Sequence, residues 1–336
     1  MNENDIRGGA PRESRKLKVG VMRGGPSGEY EVSLKTGNSV MSALRDKHTV
    51  RDIFIDKAGA WHIDGVARTP DRIFPHVDVV FNALHGEYGE DGRVQQLMDA
   101  YGIPYTGSKT LGSAIGMNKI LAKKYFIDHG LKTPRHLKVR SENNNKETIV
   151  KIKKEFPGIS IVKPVSAGSS LGVSVVRDPE AFGEALEKAF AYSPSAMIEE
   201  YIQGREATCG VVEGSREGDL YALHPVEIRN LSENKDLWDY ESKYSDELHD
   251  LICPGNFTPE EAAAIQDFSI RAHNALDLRH YSRSDFIVAD DGIYILEVNT
   301  LPGLTASSLF PRALAAANLS LAKFLDHVVQ LAVNKK

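Results

Sequence analysis

Phe286 and Val288 alternate with polar neighbours, Ile293 and Ile295 do the same, and Asp290-Asp291-Gly292 separates the two runs. Period-two alternation on both sides of an Asp-Gly signal reads as an antiparallel hairpin with one buried face. Counting outward from the turn puts Asp285 opposite position 297, give or take one residue. Glu297 and Asn299 are two apart, so both project from the same face of the second strand. One end of one hairpin face therefore carries two carboxylates and an amide. Strand interiors seldom hold Asp, Glu and Asn without a ligand, a solvated hairpin with incidental acids being the plain alternative. Hard cations such as magnesium take oxygen donors of this kind, usually shared with phosphate oxygens. The following loop, Thr300 to Thr305, offers backbone N–H groups beside that end, and its apolar flanks allow the site to be dry.

With 336 residues the chain is long enough for two or three domains with full cores. A net charge of -5 implies no general attraction to nucleic acid or membranes. The two cysteines, Cys209 and Cys253, show no metal or disulfide spacing, which fits a reducing cytoplasm. No apolar run approaches membrane-spanning length. Residues 1–16 are polar and charged and read as a disordered tail.

Lys18 to Met22 reads as a buried strand that enters a Gly-rich turn and then a helix over Val32 to Leu44, the opening of an α/β domain. Ligands of such sheets lie beyond the carboxyl ends of the strands. Glu29 stands there, either to hold a substrate ammonium or as a helix-start carboxylate favoured by the dipole. Further strands are expected at Thr49 to Ile55 and Val77 to Ala83. The latter ends beside His85, among glycines that admit a ligand; a lone histidine is more often structural, but the place favours a contact. A helix over Arg93 to Tyr101 and a short strand within Ile103 to Ser108 complete three βα units. No G-x-G-x-x-G is present, which disfavours a nicotinamide-binding domain.

Lys119 opens a helix that runs over Ile120 to His129, and alone it reads as a solvated lysine. A helix over Glu147 to Phe156 and a strand over Ile159 to Lys163 lead into the Gly/Ser-rich loop Pro164 to Val173. Such a loop can lie over phosphates with its N–H groups and hydroxyls, and Lys163 at its entrance would offset phosphate charge. It lacks the P-loop order. A helix follows over Pro179 to Ala191, then strands over Met197 to Ile202, Glu206 to Val212 and Leu220 to Glu227. Residues 237–246 are polar, with aromatics and a lysine, and fit a functional lid. Thr258-Pro259 starts a helix to Ala275, and Phe310 to Val333 is mostly helical.

Seven blocks in order now carry a resemblance: GGPSGEYEVSL (24–34), LHGEYGEDGRVQ (84–95), IPYTGS (103–108), KPVSAGSSLGVS (163–174), IEEYIQGRE (198–206), DYESKY (239–244), and RSDF with LEVNTLPGLTASSL (296–309). The chain resembles the D-alanine–D-alanine ligases of the ATP-grasp superfamily from about residue 17 to its end. The resemblance implies an α/β protein, α+β in its nucleotide-binding part, with a three-domain ATP-grasp fold. Residues 17–112 would form an N-terminal parallel-sheet α/β domain, 113–203 a central subdomain, and 204–336 a C-terminal domain with the lid 237–246.

The resemblance also implies roles. Lys119 and Lys163 contact ATP phosphates, and Ser170 lies in the phosphate loop. Glu199, Glu200 and Ile202 line the adenine pocket, Glu206 holds the ribose, and Lys243 reaches the γ-phosphate. Asp285, Glu297 and Asn299 ligate two magnesium ions, with manganese as a substitute. Glu29 binds the ammonium of the first D-alanine, with Val32 and His85 nearby. Arg283 and the Gly303 N–H stabilise an oxyanion, and Ser308 and Leu309 hold the second carboxylate. Glu29, Ser169 and Tyr244 form a hydrogen-bonded link to the lid. A homodimer is a family expectation. Asn118 stands where aspartate is frequent, the phosphate loop lacks charge at Val165-Ser166-Ala167, and Leu301 replaces serine or asparagine; none of these removes a ligand.

The chemistry follows from the groups. Phosphorylating a carboxylate makes an acyl phosphate with a good leaving group, while metal and lysines offset the meeting of like charges. An amine then attacks, and Arg283 with a backbone N–H suits the tetrahedral oxyanion. Two rival readings are another ATP-grasp ligase, such as a D-alanine–D-lactate ligase, and a non-catalytic nucleotide-binding module. Tyr244 favours the dipeptide over the first, and the intact Lys163, Lys243, Asp285, Glu297 and Asn299 speak against the second.

Overall fold

The computed structural model describes residues 16–166, 168, 171–216, 218–230 and 249–334, built on three sheets. Of the expected features, nearly all of the 1–16 tail, Ser169, Ser170 and the 237–246 stretch with Lys243 and Tyr244 lie outside the described residues.

The first sheet contains β1 (Lys18–Gly24), β2 (Thr49–Ile55), β3 (Trp61–Ile63), β4 (Val66–Ala67) and β5 (Val79–Asn82), in the order β4-β3-β2-β1-β5. Helix α1 (Tyr30–Leu44) connects β1 to β2, and β1 runs parallel to both β2 and β5. The expected parallel sheet needs one correction: β3 and β4 extend it as an antiparallel hairpin. The cause is Asp64-Gly65, two residues at positive φ (48° and 82°) that suit the tightest hairpin turn. The strand expected over 77–83 is shorter than foreseen. Tyr105 supplies only an isolated bridge to Val80. Helices α2 (Pro70–Ile73), α3 (Arg93–Ala100), α4 (Thr110–Met117) and α5 (Lys119–Asp128) follow around and after β5.

The second sheet is antiparallel, β6 (His136–Arg140), β7 (Ser160–Pro164), β8 (Ser174–Val176) and β9 (Ser195–Glu200), in the order β6-β9-β7-β8. Helices α6 (Lys146–Glu155) and α7 (Phe182–Phe190) pack on it, burying Ile152, Phe182 and Leu186 against Val162 and Ile198.

The third sheet follows the path β13-β12-β10-β14-β15, with β11 also on β10. Its strands are β10 (Arg205–Glu213), β11 (Leu220–Ala222), β12 (Val226–Asn230), β13 (His249–Ile252), β14 (Tyr281–Ala289) and β15 (Gly292–Asn299). The single strand expected over 220–227 is two strands, because Pro225 lacks the N–H that a continuous ladder needs. Helix α8 (Pro259–Ala275) starts at a full capping box between Thr258 and Glu261. It buries Ile265 and Ala272 against Ala207, Phe286 and Ile295, together with Ile115 and Phe126 of α4 and α5. The C-terminal α9 (Leu309–Ala316) and α10 (Leu321–Asn334) share one core with the first sheet: Val19, Val21 and Phe81 meet Tyr281, Phe310 and Val328.

Candidate active site

The β14–β15 hairpin supplies the centre. Near the turn, Phe286 faces Ile295, but Asp285 faces Glu297, so Leu296 is an extra residue in a bulge. Without that bulge, counting from the turn would bring Leu296 opposite Asp285 and turn Glu297 to the wrong face. With it, Asp285↔Glu297 and Arg283↔Asn299 are direct pairs and all four side chains share one half-buried face.

That cluster is tightly bonded. The Arg283 guanidinium forks onto Asp285, Nε to Oδ1 and Nη2 to Oδ2, both at 2.9 Å. Thr208 on β10 donates its hydroxyl to Asp285 Oδ1 at 2.6 Å, and Asn299 Nδ2 donates to Oδ2 at 3.2 Å. Burial opposes the Arg283 charge, yet Asp285 beside it outweighs burial and raises its pKa. Lys119 Nζ lies 3.1 Å from Glu297 Oε2. Lys119 is therefore no solvated lysine. Asn118 caps its helix by accepting the Leu121 N–H, and the Lys119 N–H donates to Val165 O at 3.1 Å. Helix α5, the hairpin and the phosphate-loop entrance thus converge.

On the second sheet, Lys163 Nζ at the end of β7 lies 2.6 Å from Glu199 Oε2 on β9, while the other oxygen of Glu199 pairs with Lys123. Lys123 also donates to Thr133. Burial opposes ionisation of Glu199, but the two lysines overcome it and hold its pKa below the usual carboxylate value. Burial pushes the Lys123 ammonium down to about 8, against the pull of Glu199. Burial also opposes the Lys163 charge, but Glu199 and Glu297 outweigh it and raise its pKa. Glu200 points elsewhere, accepting the Arg135 N–H at 2.7 Å. Ile202 and Glu206 are half-buried beyond it, with Glu206 two residues before Thr208 on β10.

Glu29 forms the third side. It is buried at the N-cap of α1, and Ser27 Oγ accepts its N–H. A Cβ added at Gly86 or at Gly168 would lie 2.4 Å from Glu29 Oε2, so both glycines exist to let backbone approach that carboxylate. Gly168 belongs to the Gly/Ser-rich loop, so the chain there passes close against Glu29. Val32 is half-buried on the first turn of α1. His85 is buried; Thr36 Oγ1 is 2.8 Å from its Nε2 and Glu90 Oε1 is 3.7 Å from its Nδ1.

After β15 the chain turns at Gly303, where a Cβ would stand 2.9 Å from Ser308 Oγ. Ser308 Oγ accepts the Thr305 N–H at 3.2 Å and lies at the N-cap of α9, whose first residue is the buried Leu309. The first sheet is tied to this region by Arg279, which donates to the carbonyls of Tyr105 and Gly107 at 3.1 Å.

The structure thus brings Lys119, Arg283, Asp285, Glu297 and Asn299 into one cluster, Lys163 and Glu199 into a second, and Glu29 against Gly168. Sequence reading missed Thr208, whose signal is its two-residue spacing from Glu206, and Lys123, whose signal is its four-residue spacing from Lys119. Among the described residues, no group of three or more His, Cys, Asp or Glu stands ready to hold a metal. Asp285, Glu297 and Asn299 are an oxygen-only donor set too small to enclose a cation. Such a set fits a hard divalent ion that completes its shell with phosphate oxygens and water. The same oxygens already draw the cationic groups of Arg283 and Lys119.

The chain is similar along nearly its whole length to proteins already known. Residues 125–330 match the family model "D-ala D-ala ligase C-terminus", and residues 18–74 and 65–108 match "D-ala D-ala ligase N-terminus". A D-alanine–D-alanine ligase of Syntrophobacter fumaroxidans is 39% identical over 322 residues, covering 95% of this chain and 99% of the relative. Among solved structures, the VanG D-Ala:D-Ser ligase of Enterococcus faecalis superposes with a TM-score of 0.82 at 29% identity, covering 95% of this chain and 100% of that one. The D-alanine–D-alanine ligase of Coxiella burnetii gives 0.81 at 25% identity, covering 96% and 95%.

Proposed function

The chain belongs to the D-alanine–D-alanine ligase family, and from that premise we propose how its residues divide the reaction. It is an ATP-dependent ligase that joins D-alanine to D-alanine for cell-wall synthesis, and it uses a divalent metal. Asp285, Glu297 and Asn299 would hold that metal, as two magnesium ions or manganese in their place. When bound, it offsets phosphate charge during transfer of the γ-phosphoryl group.

The chain's own groups do the rest. Glu29 holds the ammonium of the first D-alanine in a pocket shared with Val32 and His85. That places the carboxylate toward the hairpin and the phosphates held by Lys119 and Lys163. Ser170 lies in the phosphate loop, and Lys243 reaches the γ-phosphate from the lid over 237–246. Glu199, Glu200 and Ile202 line the adenine pocket and Glu206 holds the ribose. Phosphorylation of the first carboxylate gives D-alanyl phosphate. The second D-alanine, held through its carboxylate by Ser308 and Leu309, loses an ammonium proton and attacks. Arg283 and the Gly303 N–H receive the developing oxyanion, and the carbonyl re-forms as phosphate leaves. The link Glu29, Ser169 and Tyr244 joins lid closure to substrate binding and keeps water from the acyl phosphate. In this division, residues 17–112 supply the first substrate pocket, while 113–203 and 204–336 clasp the nucleotide. The enzyme works in the cytoplasm as a homodimer.

The observation that carries this reading is the shared face of Arg283, Asp285, Glu297 and Asn299, reached by Lys119 from another element. Mass analysis of the product from ATP, magnesium and D-alanine tests it, with D-alanyl-D-alanine expected. With equimolar D-lactate added, D-alanyl-D-alanine remains the main product, because neutral Tyr244 gives the lactate anion no added attraction. Mainly D-alanyl-D-lactate at neutral pH would overturn the acceptor assignment.

A further inference from the structure

Lys123 has no exposed side-chain surface and belongs to none of the motifs that define the site. It lies one turn beyond Lys119 on the same helix face, which points it between the second and third sheets. Its ammonium takes one oxygen of Glu199 and donates to Thr133, while Lys163 takes the other oxygen of Glu199 at 2.6 Å. The Glu199 side chain is 3% exposed and that of Lys163 is 10% exposed. Two cations therefore divide one buried carboxylate. Glu297 on β15 attracts both lysines, Lys163 repels Lys123, and His136 on β6 faces the same cluster.

This division has a consequence for Lys163. An ammonium that shares a carboxylate is bound less firmly than one that owns it. In a low-dielectric pocket, removing the rival cation would leave the full Glu199 charge to Lys163. That would hold its Nζ on the wall of the pocket. Lys123, Lys163 and Glu199 by themselves carry one formal positive charge in excess, which an anion entering the pocket would offset.

We propose that Lys123 is a positioning residue for nucleotide binding: by occupying one oxygen of Glu199 it orients that carboxylate and leaves Lys163 available to a phosphate. The proposal rests on the reading that Lys163 contacts ATP phosphates. Lys123 itself touches neither ATP nor D-alanine.

The test uses the full-length protein with magnesium and a non-hydrolysable ATP analogue, titrated calorimetrically, beside steady-state kinetics. Lys123→Met keeps an unbranched chain, one atom shorter, and removes the charge. The analogue's Kd and the KM for ATP should rise about 10-fold to 100-fold, the range for losing a residue that orients a binding group, while kcat and the KM for D-alanine move less. In a Glu199→Gln background, where no carboxylate remains to be shared, Lys123→Met should add little to the Kd. Effects that multiply independently in the two backgrounds would overturn the proposal. Lys123→Gln, polar but uncharged, guards against a folding failure and should shift the Kd in the same direction. Unchanged analogue affinity in a folded Lys123→Met or Lys123→Gln protein, with only thermal stability lost, would leave Lys123 a structural residue and overturn the proposal. Lys163→Met is the control. Affinity unmoved by that change would overturn the phosphate assignment and the proposal with it. Affinity lost there but kept without Lys123 would overturn the proposal alone.

Discussion

Glu297 sits where two demands meet: it shares a face with Asp285 and Asn299, and it holds the Lys119 ammonium at 3.1 Å. Glu297→Gln keeps the shape and removes the charge. Ligation should fall by at least ~10²-fold, the scale for losing one electrostatic partner of a transition state, with the unfolding midpoint nearly unchanged. Near-normal turnover in that variant would remove the metal assignment. A different residue contributes to acid sensitivity. His273 on α8 is buried, its Nδ1 2.8 Å from Ser282 Oγ, and burial pushes its pKa down to about 4, against the pull of Glu213. Between pH 6.5 and 4 the unfolded chain binds a proton that the folded chain refuses, so stability declines as pH falls through that window. The span amounts to about 3 kcal/mol. In His273→Gln the free energy of urea unfolding should vary less steeply with pH over the same window; identical slopes would rule His273 out.

At the level of elements, the site depends on irregularities rather than on regular strands. Alternation alone made the hairpin legible, but Leu296 as a bulge residue had no signal, since its neighbours read as ordinary strand. The bulge is what turns Glu297 toward Asp285. The antiparallel extension at Asp64-Gly65 did carry a signal, an Asp-Gly pair between short apolar runs, which the stronger βα pattern around it obscured. Helix α5 makes the energetic side of this testable. Asn118 Oδ1 accepts the Leu121 N–H at 3.2 Å, so Asn118→Ala should cost about 1 kcal/mol of unfolding free energy. Because Lys119 and Lys123 follow directly, that variant should also raise the KM for ATP. Asn118→Asp, an equivalent cap, should restore both. A Asn118→Asp protein no better than Asn118→Ala would show that the amide acts through something other than the helix terminus.

Across the whole molecule, cores do not follow sheets. The first and third sheets share one core, joining Val21 and Phe81 to Phe310 and Val328, and Arg279 adds part-buried hydrogen bonds beside that junction. The second sheet has its own core around Ile152, Phe182, Leu186 and Ile198. Separate cores open separately, since little apolar surface couples them. Leu186→Ala should therefore lower the free energy of opening of residues 136–200 by about 2–5 kcal/mol. Amide hydrogen exchange should show faster exchange in β6 to β9 and little change in β1, β10 and β14. Equal acceleration in all three sheets would mean that the molecule opens as one unit. Motion of the second sheet would carry Lys163 and Glu199 relative to the hairpin.

The order of apolar and polar residues along the chain was enough to determine the hairpin and most helices, and to bring Asp285, Glu297 and Asn299 to one face, because each depends on neighbours within about a dozen positions. Asp285 and Glu297 could be placed opposite one another from the turn alone, within one residue. Local order could not determine which distant groups would meet. Lys123 and Glu199 are 76 positions apart, and Thr208 and Asp285 are 77 apart, so nothing in either segment anticipates the other. Those encounters arise when three sheets pack, and burial then gives each contact its weight: a lysine that would be solvated on an isolated helix becomes a buried cation sharing a carboxylate with Lys163.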